Sequence, residues 1–423
     1  MSDNTSTAPP EKRNWLNRTV LSIGLASLFG DISYEMANAV LPVLVSFLGA
    51  GPALLGIIEG AADLFSSGAK LVSGMLGDRL RPRKYWGGAM YLLTGLATTA
   101  FGFISSPLWL VVAKSVGWLG KGWRSPLKDA LLADDTDKRD YGKAYGFERA
   151  GDTIGAVLGP FLAVGIVMLA TRLLRGHVPD HLLSLQAVRH VFWFSLIPAT
   201  IAGLFLALGA REHYLINHAR RLAPWDAWQD LPLVFRRWLI AVGVFGAGDF
   251  SKTLLILWAI GKSTLLSPDG FSVLPLLLYA GYNVVGAGFA YLTGALSDHL
   301  GRKWLLVGGY AAGVGAAAIL ALSPPNLPAM ITVFFLSGVL VGTEEALEKA
   351  TGADLLSAAQ RTMGFGVLAT VNGIGDFISS VGVGLLWAAL GAPAAFGFAA
   401  LLALIGTILL AFLSPPRAEH ETA

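Results

Sequence analysis

Apolar residues run along this chain in long blocks separated by short polar joints. A helix that crosses a membrane needs about 20 mostly apolar residues, and twelve blocks reach that scale. They cover 19–48, 52–77, 85–103, 108–133, 144–170 and 191–210, then 238–260, 271–297, 304–322, 328–353, 365–390 and 394–413. The pattern predicts an all-α membrane protein of twelve spans. Two polar stretches are longer than the rest, 171–189 and 211–232. The second holds Trp225, Trp228 and several charges, which suits an amphipathic surface helix, and it divides the chain into halves of six spans. The expected organisation is a disordered tail over 1–17, one bundle over 18–210, a linker over 211–233, a second bundle over 234–413, and a tail over 414–423.

Basic residues favour alternate joints. Nineteen lysines and arginines fall on the side that includes Lys12, Arg83, Lys143, Arg237 and Lys303. Four fall on the other side: Arg172, Arg175, Arg189 and Lys262. Positive charge is retained on the cytoplasmic face of a membrane, so both termini are expected in the cytoplasm. The N-terminal stretch lacks the basic segment, short apolar core and small-residue cleavage site of a secretory signal. An integral protein of a bacterial inner membrane is the expected setting.

The halves repeat each other. Gly74, Asp78 and Arg79 close the second block, and Gly294, Asp298, Gly301, Arg302 and Lys303 close the eighth. Gly30-Asp31 with Ser33 recurs as Gly248-Asp249 with Ser251, and Gly151-Asp152 recurs as Gly375-Asp376. All three landmarks keep an offset of roughly 220 residues, as expected of the duplicated units from which many transporters are built.

These residues resemble the major facilitator superfamily over nearly the whole chain, about 18–413. The second copy of the phrase keeps the family's Gly, Asp and Gly-Arg-Lys, with His299 where a larger base is usual. The first copy has Arg81-Pro82 in place of the glycine. Gly151, Gly155, Gly159 and Pro160 in the fifth span look like the antiporter motif of the family's exporters, although Ala163 and Val164 replace its following glycine pair. The resemblance implies two pseudo-symmetric six-helix bundles around a central polar cavity. It also implies that Asp78 and Arg79, and Asp298 and Arg302 in the second copy, act as cytoplasmic latches. A carboxylate beside a helix N-terminus gains roughly 0.3–1 kcal/mol. Pro160, which lacks an amide hydrogen, with Gly155 and Gly159, would form a hinge.

Ionisable residues inside the spans point to the site. Each charge costs about 2.5–3.5 kcal/mol at mid-bilayer, so these groups must face water, pair, or sit near helix ends. Asp31 lies about 20 Å along its helix from Arg18, near the midplane, and Asp249 lies at a similar depth. Glu35 is one turn from Asp31, and Glu59 and Asp63 share a face. Lys121, Arg124 and Lys128 form a basic stripe, and Glu344 and Glu348 form an acidic one. Aligning Asp134 with Asp354 sets Arg124 opposite Glu344 and Lys128 opposite Glu348. The stripes are expected to attract each other when the cytoplasmic side is closed. Local pairs such as Lys128 with Asp129, or Glu345 with Lys349, are the alternative. Asp31, Glu35, Asp63, Asp249 and Asp376 are candidates for proton coupling or substrate contact, with Glu59 beside them. Lys121, Arg124 and Lys252 suit an anionic or zwitterionic solute, because arginine can grip a carboxylate or phosphate with paired hydrogen bonds. Asp152 joins the residues expected to gate.

Composition narrows the classes. The chain has 54% hydrophobic and 14% charged residues, against roughly 25% charged in soluble domains. It has no cysteine, so no thiolate metal site is available, and its formal charge of +3 is dispersed, which argues against nucleic-acid binding. No Gly-x-x-x-x-Gly-Lys-Ser/Thr loop or His-Glu-x-x-His pattern occurs. The expected function is a monomeric secondary transporter in the lipid bilayer. It would use no metal or other cofactor, couple to protons, and export a small solute by antiport. Uptake by symport and a non-transporting sensor are the alternatives.

Overall fold

The computed structural model describes residues 15–76, 82–212, 231–261, 273–357 and 360–413, apart from the side chains of Met75, Lys138, His181, Asp298, Arg361 and Thr362. Asp78, Arg79, the linker tryptophans Trp225 and Trp228, and both expected tails up to Asn14 and from Ser414 lie outside the described residues. The described residues are mainly helical, in the order α1 (Arg18–Phe47), α2 (Pro52–Leu76), α3 (Arg83–Ala100), α4 (Pro107–Asp134), α5 (Tyr141–Leu174), α6 (Asp180–Phe194) and α7 (Leu196–Leu204). They continue with α8 (Leu233–Gly246), α9 (Lys252–Ile260), α10 (Leu274–Leu300), α11 (Arg302–Leu322), α12 (Leu327–Asp354), α13 (Arg361–Leu390) and α14 (Ala392–Phe412). Eight of the resulting segments are long and apolar enough to cross a membrane. The α2, α3 and α4 helices and the α8–α9 pair are not among them. Charges such as Glu59 and Lys70 in α2, and Lys121 and Arg124 in α4, lower their hydropathy, and α8–α9 is interrupted.

Local chemistry sets the ends. The Asn17 side chain accepts from the amide of Val20 at 2.9 Å and starts α1. Asn326 does the same for Ala329 at 3.0 Å and starts α12, satisfying amides that a helix leaves unpaired. Gly301 joins α10 to α11 as a single residue at φ 83°, and Gly391 joins α13 to α14 at φ 87°; L side chains rarely enter that region. In the first copy of the repeat, Pro82 precedes α3 with φ −78° instead. The same ends carry repeat-related ion pairs: Arg83 to Asp134 at 2.7 Å, and Arg302 to Asp354 at 2.6 Å.

Two boundaries differ from the sequence expectation. The polar stretch 171–189 is mostly helix, because α5 runs to Leu174 and α6 starts at Asp180, eleven residues before the predicted sixth span. The seventh span breaks between Gly246 and Lys252, whereas α1 passes unbroken through Asp31. Gly246 ends α8 and Gly248 lies within the break, and glycine weakens a helix by about 1 kcal/mol relative to alanine. Serines of α13 satisfy the freed backbone: Ser379 donates to the Asp249 carbonyl at 2.6 Å, and the Ser251 amide donates to Ser380 at 3.1 Å.

Buried apolar side chains show how the helices meet. One large cluster draws Val40 and Leu44 of α1, Leu55 of α2 and Val167 of α5 together with Ile256 of α9, Leu276 of α10, Val333 of α12 and Phe396 of α14. It lies at the end of the molecule away from the termini. At the terminal end the early and late helices have separate clusters, around Ile23 and Leu206 and around Phe235 and Leu306. Glycines bring helices of the two sets together: a Cβ on Gly56 or Gly384 would strike backbone across the α2–α13 seam.

The α5 helix runs unbroken through Pro160, and its glycines press on α1. A Cβ on Gly155 would collide with the Leu28 carbonyl oxygen and the Asp31 Cβ, and one on Gly159 would lie 2.9 Å from the Glu35 Cβ. Gly155→Leu should therefore force α1 and α5 apart. Overpacking of this kind costs about 1–3 kcal/mol or more, and a fall in the yield of monodisperse protein on size-exclusion chromatography measures it.

Candidate functional site

A cavity of about 370 Å³ lies between the early and late helices, within the range of small-molecule sites. Its wall includes Glu35, Glu59, Asp63 and Lys121 from the first set and Asp249, Lys252, Glu345 and Asp376 from the second. The break between α8 and α9 carries Asp249 and Ser251 into the wall. Towards the terminal end, Lys70 of α2, Asp129 of α4 and Lys349 of α12 are exposed, yet they lie within electrostatic reach of one another. The space between the two sets is therefore open at that end, while the shared apolar cluster closes the other.

The expected charges follow different paths. Glu35 reaches across the sets, accepting from Lys252 at 2.7 Å and from the Tyr279 hydroxyl. Glu59 pairs with Lys114 at 2.5 Å, and Lys114 also donates to Asn38 at 3.1 Å. Lys121 sits over the Tyr34 ring at 3.8 Å and within 5.4 Å of Trp118, a cation–π arrangement. Arg124 turns away from the cavity. It is buried over the Tyr91 ring at 4.0 Å and donates to Thr94 at 3.1 Å, so it does not line the wall as the solute reading expected. Asp31 also lies off the wall, packed against Gly155. Asp63, Asp249 and Asp376 line the cavity.

The two stripes do not meet here. Lys128 pairs with Glu148 and with Asp152 at 3.8 Å, and donates to Ser27 at 2.8 Å, all within the first set. Glu348 accepts from Tyr310 at 3.1 Å and from Asn372 at 2.6 Å within the second. Glu344 is half-buried one turn from Glu348. The splay of the terminal end separates the stripes, and among the described residues the sets are joined there by Arg149 of α5 with Glu345 of α12. Arg302 holds Asp354. Among the described residues, no His/Asp/Glu cluster suits a metal.

Sequence reasoning overlooked Lys114, Glu148, Arg149 and Tyr279. Lys114 lies seven residues before Lys121, on the same helical face, so the basic stripe extends to it. Tyr279 carries no charge pattern that marks it.

Comparison with known proteins gives a family. The model described as Major Facilitator Superfamily matches residues 23–261 and again 238–423. An uncharacterized MFS-type transporter of Methanocaldococcus jannaschii is 26% identical over 398 residues, covering 94% of this chain and 95% of that protein. A probable 4-methylmuconolactone transporter of Cupriavidus pinatubonensis is 28% identical over 381 residues, covering 87% and 83%. The crystal structure of a bacterial homologue of the human lysosomal transporter Spinster, in an inward-facing and occupied conformation, superposes with a TM-score of 0.68 at 17% identity and covers 93% of each chain.

Proposed function

Because this chain belongs to the Major Facilitator Superfamily, we propose that it is a secondary active transporter that carries a small polar, anionic or zwitterionic solute by alternating access. Membership points to transport rather than catalysis. In this reading the helices make twelve crossings, with α6–α7 as the sixth and the interrupted α8–α9 as the seventh. Residues 18–210 and 234–413 then form two six-span bundles, joined by 211–233, in an inner membrane with both termini in the cytoplasm. The observation that carries the proposal is the cavity itself: charged, lined by both sets of helices, closed at one end by a shared apolar cluster and open at the other. That geometry fits a state open to the cytoplasm.

Asp63, Asp249 and Asp376 are the candidates for proton coupling, since a carboxylate in a poorly solvated cavity can load and release a proton near neutral pH. Glu35, tied to Lys252 and Tyr279, is a candidate for sensing closure. Asp78, Arg79, Asp298 and Arg302 remain candidates for cytoplasmic latches. The glycines and Pro160 of α5 support a hinge and an exporter that works by antiport. The relative named for 4-methylmuconolactone favours a second reading, uptake of an organic anion by symport.

The chain has no cysteine, so single cysteines can be placed freely. A cysteine at Ser251 in the cavity should react with a membrane-impermeant maleimide from both sides of sealed vesicles, faster from the cytoplasmic side. Reaction from one side only would refute alternating access and fit a sensor. Flux into proteoliposomes then assigns coupling: accumulation driven by an acidic interior means antiport, and by an acidic exterior means symport. Indifference to the pH gradient would refute proton coupling.

A further inference from the structure

Pairing around the cavity leaves an unequal remainder. Glu35 is held by Lys252, Glu59 by Lys114 and Glu345 by Arg149. Asp63, Asp249 and Asp376 have no basic group within 4.0 Å among the described residues, and Lys121 has no carboxylate within that distance. Three acids and one base of the wall are thus left without a close ion pair, although Lys121 lies within electrostatic reach of Asp31 and Glu35, and Lys70 within reach of Asp63 and Asp376.

Their placement is directional. Lys121 stands on the α4 wall over Tyr34 and Trp118. Asp249 and Asp376 stand on the wall made by the α8–α9 break and α13, and Asp376 lies within reach of both Asp63 and Asp249. Like charges gathered in a poorly solvated site repel, and a cation among them relieves the repulsion. A solute that is anionic throughout would meet three acids of the wall that no close ion pair neutralises.

We infer that the solute taken by this cavity carries a cationic nitrogen, an amine or guanidine, seated among Asp63, Asp249 and Asp376, and that a carboxylate or phosphate at its other end meets Lys121. This rests on the cavity being the transport site, and it narrows the proposed solute to a zwitterion.

Three six-carbon probes that differ only in their end groups test it: adipate, ε-aminocaproate and hexamethylenediamine. Calorimetric titration of the purified full chain should show both amines binding at least about tenfold more tightly than adipate, the scale of a close charge pair. Asp376→Asn should weaken both amines by about tenfold, and Lys121→Gln should weaken ε-aminocaproate alone. Asp249→Asn keeps the test readable if one variant misfolds. Adipate binding as tightly as the amines, no binding of either amine, or amine affinities unmoved by both aspartate variants would overturn the inference. The titration reads binding in detergent, so its failure is distinct from a failure of two-sided labelling, which reads alternating access.

Discussion

Glu35→Gln should move the chain toward the state whose opposite end is open. Glu35 is 3% exposed and bridges α1 to Lys252 of α9 and Tyr279 of α10, so its bonds exist only while the two sets of helices are closed at that end. Removing one partner of a fully buried pair costs about 3–5 kcal/mol. The Lys252 side chain is 29% exposed, which lowers the expectation to roughly 2–3 kcal/mol, a population shift of about 30- to 150-fold. A cysteine at Leu255, beside the closed end, reads it: labelling from the outer face should accelerate by a similar factor. Tyr279→Phe removes one hydrogen bond and should move the same rate by about fivefold. Unchanged labelling in Glu35→Gln would mean that the pair does not hold this end shut.

Lys114→Met should act on stability instead. The Lys114 side chain is fully buried and Glu59 is 5% exposed, and both belong to helices of the first set that pack on each other. The pair therefore does not part when the sets move. Methionine leaves Glu59 buried without its cation, at an expected cost of about 3–5 kcal/mol. Thermal unfolding followed by tryptophan fluorescence should show a clear loss, with Lys114→Met combined with Glu59→Met recovering most of it, since replacing a buried pair by hydrocarbon is often neutral. A single variant as stable as the parent would remove this pair from the account of the fold. Ion pairs inside one set act on folding, and those between sets act on conformation.

The helices were legible in the sequence because a run of hydrocarbon long enough to cross a bilayer is hard to mistake. The α2, α12 and α14 helices start and end within two residues of the apolar blocks. The break at Asp249 was not legible. The phrase Gly-Asp with a following Ser reads alike in both halves, yet α1 continues through it and α8 does not. The second copy has an additional glycine at Gly246, and the two serines of α13 receive the freed backbone. In the site, Asp63, Lys121, Asp249 and Lys252, singled out in the sequence as ionisable residues inside the spans, all line the one cavity. It did not say which way a side chain on a shared face would turn. Arg124 finds the Tyr91 ring and Lys128 finds Glu148, partners that only the packing of α3 and α5 on α4 supplies.

The two ends of the cavity answer to different solvents. One is held by hydrocarbon from both sets of helices, and an ionic contact across the other, Arg149 with Glu345, is half exposed. Water's aversion to hydrocarbon weakens on cooling, whereas exposed charges lose their hold as salt rises. Cold therefore loosens one face of the molecule and ionic strength the other.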